Sequence, residues 1–427
     1  MAFFFSRDTK VFMSYSFDGT TANTALFEIP VLDGFSFSQG TNTSEVTLSE
    51  AANSTGYSKR GRAMFTDSFA PAEWSFSTYM RPTVSGSGNA ATATDGVTNG
   101  QHGGNADVFA VEGPLWAAMS ANTYDRAIGS NGTGDYANNA ATYEPKHFSF
   151  ANSNQVTLGV FDLFFVLGAS KDSEGNTYTT GTDGVTVYKL ADCSVGSASI
   201  DFDIEGLAQI AWSGNGKSVE EVASLETRAT DSANGVTGTT ALGIVNEGIS
   251  STSNFIRQKL TDLAISFDVS ESTGTLGALN VDGSDVTYDV TLTGGNITIE
   301  NNLSYLTPET LGTVNLPLGH VMGTRSVSGN FTCYLNDTAN GSLDLFERLQ
   351  ESRGVITNAF NLVFSIGGSG NTPRANVSVG KAHLELPTHS FEDVVSVDVA
   401  FHGLASDISS GTAANATNEV AIQYEAS

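Results

Sequence analysis

"SIDFDIEGL", residues 199–207, alternates Ile200, Phe202 and Ile204 with Asp201, Asp203 and Glu205. Period-two alternation marks a half-buried β-strand, with apolar side chains on one face and here three carboxylates on the other. A second stretch, "SVDVAFHGL" at 396–404, lies 197 residues downstream. It keeps the serine start, the Gly-Leu end and the alternation, with Val397, Val399 and Phe401 against Asp398, Ala400 and His402. The reading of this pair decides whether the chain is one large fold or one fold made twice.

Outward from these strands, the order of segments repeats. "FEIPVLDG" (27–34) is answered by "YDVTLTGG" (288–295), and "FSFSQGT" (35–41) by "NITIENN" (296–302). "SFSTYMRP" (75–82) is answered by "NFTCYLND" (330–337), both reading Phe-polar-polar-Tyr-aliphatic. "GPLWAAMSAN" (113–122) and "GSLDLFERLQES" (341–352) read as short helices, and "LFFVLG" (163–168) and "LVFSIG" (362–367) as strands buried on both faces. Each match alone is weak; the conserved order implies an internal duplication. Residues 1–212 form the first domain, with polar insertions at about 83–112 and 123–155. Residues 213–260 form a helix and linker, the helix in "KSVEEVASLETRATDS" (217–232). Residues 261–427 form the second domain. The long polar stretch at 41–72 reads as a loop or hairpin, and another long polar stretch leads through Arg325 to "NFTCYLND".

Composition agrees with a β protein. The 427 residues are 40% apolar and only 15% charged, with 45 glycines. Few helix formers and many turn formers are what a chain of many strands needs. The net charge of −27, from 46 acids against 19 bases, repels phosphate and excludes conventional nucleic-acid binding. Cys193 and Cys333 are too few for a disulfide framework and read as buried thiols. No export signal is read at "MAFFFSRDTK", and no apolar run approaches the ~18 residues of a membrane span.

Catalytic and metal chemistry finds no motif. His102, His147, His320, His383, His389 and His402 are scattered, with no HExxH, GxSxG, P-loop or CxxC pattern. "KDSEGNTYTTG" (171–181) lacks calcium-loop spacing and reads as a turn. His383 and His389 lack a third ligand. The carboxylates at 201–205 have no sugar platform beside them and read as a solvated face rather than a glycosidase pair. No enzyme activity and no cofactor are expected.

Taken together, "EWSFSTYMRP" (73–82), "LFERLQ" (345–350), "FNLVFSIGG" (360–368) and "VDVAFHGLASD" (397–407) resemble, in their order, the bacteriophage tail tube protein family. The resemblance covers most of 25–212 and 288–405, with the tube domain duplicated. It implies two tandem antiparallel β-sandwich domains, each with a flanking short helix and a long stacking loop. It also implies six-fold rings whose sheets join around a channel. With two domains per chain, three chains suffice, so trimeric rings of pseudo-six-fold symmetry are expected.

The expected role is a structural virion protein, made in the host bacterial cytoplasm, that passes double-stranded DNA during ejection without gripping it. The implied partners are other copies of itself, the tip, terminator and tape-measure proteins, and a sheath if the tail has one. No membrane insertion is expected. Asp201, Asp203, Glu205 and Asp398 are candidate lumen acids, the alternative being an outer face or a ring contact. Lys59, Arg60, Arg62 and Arg325 are candidates for the stacking loops, the alternative being solvated loop tips. If these cations stack rings, growth of the tube responds to salt. The rival readings are another virion component, such as a tail-tip ring or decoration protein, and a non-viral adhesin or carbohydrate-binding module.

Overall fold

The computed structural model describes residues 4–16, 24–47, 62–85, 107–121, 147–150, 158–168, 177–182, 184–226, 243–245, 255–267, 286–308, 310–311, 314–351, 360–368, 373–391, 394–405 and 418–425. The chain is mainly β, in antiparallel sheets. The first half runs β1 (Lys10–Ser16), β2 (Thr24–Ile29), β3 (Ser36–Thr47), β4 (Arg62–Tyr79), β5 (Pro82–Ser85), β6 (Asp107–Ala110), α1 (Gly113–Met119) and β7 (His147–Ser149). It continues through β8 (Phe161–Leu167), β9 (Thr177–Thr179), β10 (Thr186–Phe202), β11 (Gln209–Gly216), β12 (Ser218–Val222), β13 (Ser224–Glu226) and β14 (Gly243–Val245). The second half runs β15 (Asp262–Phe267), β16 (Val286–Asp289), β17 (Thr291–Glu300), β18 (Leu303–Leu306), β19 (Gly319–Met322) and β20 (Ser326–Tyr334). It ends with α2 (Ser342–Glu351), β21 (Phe360–Ile366), β22 (Arg374–Leu384), β23 (Thr388–Phe391), β24 (Val395–Gly403) and β25 (Ala421–Glu425).

The pairings of the first half recur in the second. β1 pairs with β2 and β8, β3 with β4, β4 with β11, and β10 with β8, β11 and β12. In the same order, β15 pairs with β16 and β21, β17 with β20, β20 with β24, and β22 with β21, β24 and β25. Each half is thus two antiparallel sheets sharing one long strand, β10 or β22. The apolar faces of these sheets enclose a common core that includes Trp74, Val195, Ile210 and Trp212 in one half and Val379, Val399, Phe401 and Phe331 in the other.

The recurrence does not pair "SIDFDIEGL" with "SVDVAFHGL". Phe76 of β4 faces Trp212 of β11, and Phe331 of β20 faces Val399 of β24. So β24 occupies the place of β11, not of "SIDFDIEGL". The counterpart of β10 is β22 continued by β23. Val195 faces Gly214 and Ser197 faces Ser213, with a bulge between; Leu384 faces Phe401 and Thr388 faces Asp398, with one residue more on that strand. The alternation at 199–207 also stops early. β10 ends at Phe202, residues 203–206 turn, and Ile204 is 51% exposed instead of packing the core.

Other elements depart from expectation. Where described, to Glu226, the segment read as a helix at 217–232 is strand: β12 pairs Val219 with Leu190 and Val222 with Val187, and β13 follows; residues 227–232 lie outside the described residues. Its Glu- and Ala-rich composition favours a helix only weakly, and an open strand edge overrides that preference. β4 ends at Tyr79, and Pro82 opens β5. The described end of the 123–155 insertion is not exposed: Phe148 and Phe150 are buried, and β7 pairs with β25 of the second half. α1 is buried along its whole length, while α2 buries Leu345, Phe346 and Leu349, as an amphipathic surface helix does.

The halves are joined by backbone. Ser197–Phe202 of β10 pairs with Gly295–Glu300 of β17 in an unbroken antiparallel ladder. One sheet therefore runs β3–β4–β11–β10–β17–β20–β24–β23 across both halves.

Candidate functional site

The face of this eight-stranded sheet turned away from the core is polar. Several of its side chains are short and bonded across strands. Ser36 Oγ lies 2.8 Å from Ser75 Oγ, Ser197 Oγ lies 2.7 Å from Ser213 Oγ, and Ser199 Oγ lies 3.2 Å from Thr298 Oγ1. Such cross-strand pairs stabilise the sheet. Across Ser36–Gln39, Ala72–Tyr79, Ser197–Phe202, Gln209–Gly216, Gly295–Glu300, Ser326–Tyr334, Thr388–Phe391 and Val395–Gly403 there is no lysine or arginine.

Two of the four candidate acids lie on this face. Asn296 Nδ2 donates to Asp201 Oδ1 at 2.5 Å and to Ser199 Oγ at 2.9 Å, across the junction of the halves. Asp398 Oδ1 accepts from Asn330 Nδ2 and Thr332 Oγ1, both at 3.1 Å. Asp203 and Glu205 lie instead in the exposed turn after β10, where Asp203 Oδ1 accepts from the Ile204 N–H at 2.6 Å. Glu73 of β4 and Glu300 of β17 also lie on the polar face and are exposed, and both escaped the sequence reading. The signal was available: each stands in alternation within a strand whose other face is apolar.

The described parts of the long polar stretches are paired strands. β3 and β4 extend as a pair past the sheet, from Thr41 opposite Phe69 to Thr47 opposite Arg62, and β18 pairs with β19. The two arms touch: Phe69 N–H donates to the Asn315 carbonyl at 2.9 Å. Tyr305 of β18 reaches back to the first half, donating to the Asn215 carbonyl at 2.9 Å, and His320 Nδ1 lies 3.1 Å from Ser194 Oγ. These arms expose Met64, Phe65, Leu306, Leu311, Val314, Leu316, Leu318 and Val321. Such a group of exposed apolar side chains marks a contact surface.

The cations expected there fare differently. Lys59 and Arg60 lie outside the described residues, and Arg62 opens β4. Arg325 is not a surface residue: its guanidinium is buried in the seam between the halves. Nε donates to Asn301 Oδ1 at 3.1 Å, Nη1 donates to the Phe150 carbonyl at 3.2 Å, and Glu419 Oε2 lies 3.6 Å away. The guanidinium also sits over the Phe150 ring, 4.8 Å from its centroid. Burial pulls the Arg325 pKa down and pushes that of Glu419 up, and their mutual attraction opposes both shifts. Residue type alone does not distinguish a buried arginine from a surface one.

A second buried group binds α1 to the C-terminal strand. Trp116 Nε1 donates to Tyr424 Oη at 2.9 Å, and Tyr424 donates in turn to Glu112 Oε1. Burial pushes the Glu112 carboxyl up to about 7, against the Tyr424 hydrogen bond and the nearby charge of Arg81. Cys193 and Cys333 are both free and buried, and burial pushes the Cys333 thiol up to about 12. Both are protected from oxidation by their surroundings.

Among the described residues, no three metal-ligating side chains converge, and no helix is long and apolar enough to cross a membrane. What the described residues present is a polar sheet face, apolar hairpin arms and two halves joined by backbone pairing. Antiparallel β architecture of this kind is what the resemblance to phage tail tube proteins implies. No protein-family model matches the chain. The chain is 28% identical over 409 residues to tail tube protein pb6 of Escherichia phage T5, covering 95% of this chain and 73% of that protein. A likeness that covers 95% of this chain supports the phage tail tube family.

Proposed function

We propose that the chain is a structural protein of a phage tail, forming the tail tube as stacked rings of three copies. Each copy supplies two tube domains, so each ring has pseudo-six-fold symmetry. The observation that carries this reading is the β10·β17 ladder, in which one half continues the sheet of another half of the same topology. Repeating that junction between chains, with eight strands from each, closes a twenty-four-stranded barrel with no edge left open.

The polar sheet face lines the channel in this reading. Glu73, Asp201, Glu300 and Asp398 put carboxylates there, and the sheet offers no cation to bind phosphate, so double-stranded DNA passes without adhering. The hairpin arms stack ring on ring, through apolar contact more than through charge. Other tail proteins then cap and fill the tube. The role is structural rather than enzymatic, in the virion tail after synthesis in the host cytoplasm. Electron microscopy of the purified chain tests the reading. Tubes or rings with three chains per ring are expected; a tail-tip ring would close without polymerising.

A further inference from the structure

We infer that Pro387–Phe391 of one chain pairs antiparallel with Phe35–Gln39 of the next, and that this is the lateral contact of the ring. The inference rests on the proposed ring and adds its partner segment and register. It comes from the junction inside the chain. By the repeated pairings, Trp212 and Val399 are equivalent, as are Val195 and Leu384. Carried past the bulge, Ser197–Phe202 of β10 is equivalent to Leu386–Phe391. On the other side, Ser36 faces Ser75 and Asn296 faces Asn330, so Ser36 and Asn296 are equivalent, as are Phe37 and Ile297.

Within the chain, Asp201 faces Asn296, Ile200 faces Ile297 and Phe202 faces Gly295. Translated to the ring contact, Ser390 faces Ser36, His389 faces Phe37 and Phe391 faces Phe35 of the neighbour. Both edges are open among the described residues: β23 pairs only with β24, and β3 only with β4. The exposures match an unfinished junction. Phe202 is 3% exposed, with its ring centroid 5.6 Å from that of Phe364, while Phe391 at the equivalent position is 80% exposed. Leu386 is exposed on the same edge. An exposed edge strand with large apolar side chains is a pairing site.

The receiving edge also fits. At Gly295 a Cβ would lie 2.7 Å from the Phe202 ring, so the glycine makes room for it. At the equivalent position Phe35 fills that room itself, 5.8 Å from Phe165, and offers its ring to Phe391. Pro387 brings no N–H, so the hydrogen bonds of this ladder fall at its other positions. Facing surfaces that complete each other within one chain make a second copy of the chain the occupant.

Cysteine pairing tests the register. Ser36 and Ser390 both point to the polar face and are exposed, and directly opposed residues in a sheet lie within disulfide reach. In the Ser36→Cys/Ser390→Cys chain, oxidation of assembled rings is expected to give covalent dimers and trimers. Ser38→Cys/Ser390→Cys, slipped by two residues, is expected to give little. Asp201→Cys/Asn296→Cys, the equivalent pair within the chain, is expected to cross-link without linking chains. Rings of three that cross-link only at another register overturn the inference and leave the ring reading standing. Failure to form rings of three overturns both. Phe391→Asp is expected to abolish lateral assembly while the folded chain keeps its unfolding midpoint; assembly undiminished by this change also overturns the inference.

Discussion

β10 and β23 are the same edge in two settings. At β10 the neighbour is present: six residues pair with β17, and Phe202 is buried against Phe364. At β23 no described strand follows, and Phe391 stands in solvent. The helices differ in the same sense. α1 is covered on every side, its Trp116 bonded to Tyr424 of the other half, whereas α2 shows the solvent one face. In the proposed ring a half-unit is complete only with another half beside it, and the chain supplies that neighbour once.

The largest effects test this asymmetry directly. Phe202→Ala should cost about 3–5 kcal/mol of chain stability, as large-to-small changes in a core do. Phe391→Ala should leave the isolated chain within about 0.5 kcal/mol of its parent. Denaturant midpoints of the two variants read the comparison, and equal losses would erase it.

Arg325 holds the seam from another side. Arg325→Ala leaves Glu419 buried without its cation and should cost about 3–5 kcal/mol. Replacing both, as Arg325→Met/Glu419→Leu, should recover most of that loss, because the seam then buries no lone charge. A double variant as weak as the single one would mean that the Asn301 and Phe150 contacts, not the ion pair, dominate.

The α1 contact has a pH signature. The folded Glu112 carboxyl keeps its proton to about pH 7, while in the unfolded chain it ionises near 4.5. Stability from this group is therefore full below about pH 4.5, is lost as pH rises to about 7, and is flat above. At ~1.4 kcal/mol per pKa unit the loss amounts to roughly 3 kcal/mol. Glu112→Gln stays neutral, so the stability difference between variant and parent should grow in the variant's favour across that window. Parallel pH profiles would refute the assignment.

Smaller still is the effect of adding one methyl group. Gly295→Ala places a Cβ 2.5 Å from the Asn330 carbonyl and against Phe202, and should cost about 1–3 kcal/mol. Gly40 lies on the open edge, where a Cβ meets only Ala70 at 3.6 Å, so Gly40→Ala should be nearly silent. Least is expected of salt. Apolar arms make stacking weakly dependent on ionic strength, contrary to what Lys59, Arg60, Arg62 and Arg325 suggest on sequence alone. A steep fall in tube length between low and moderate salt, followed by light scattering, would restore the charged contact.

Much of the scaffold is legible in the sequence. The apolar runs at 163–168 and 362–367, the Phe-polar-polar-Tyr strands and the two short helices are local patterns, and each forms where its periodicity puts it. The equivalence of strands is less legible. "GSASIDF" (196–202) and "ELPTHSF" (385–391) share little beyond their final phenylalanine, because one edge is buried and the other open, so different side chains suit the same backbone path. "SIDFDIEGL" and "SVDVAFHGL" look alike only because both alternate, one as it leaves the sheet and the other inside it. The acids divide in the same way. Asp201 and Asp398 are on the polar face because the ladder continues through them, and Asp203 and Glu205 are not because the strand has ended.

The number of chains in an assembled ring separates two tube domains per chain from one. Cryo-electron microscopy of tubes or rings formed by the purified chain should show three copies per ring, with alternating half-units related by pseudo-six-fold symmetry. Six copies per ring would contradict the account, since each chain would then contribute one tube domain to the barrel and not two.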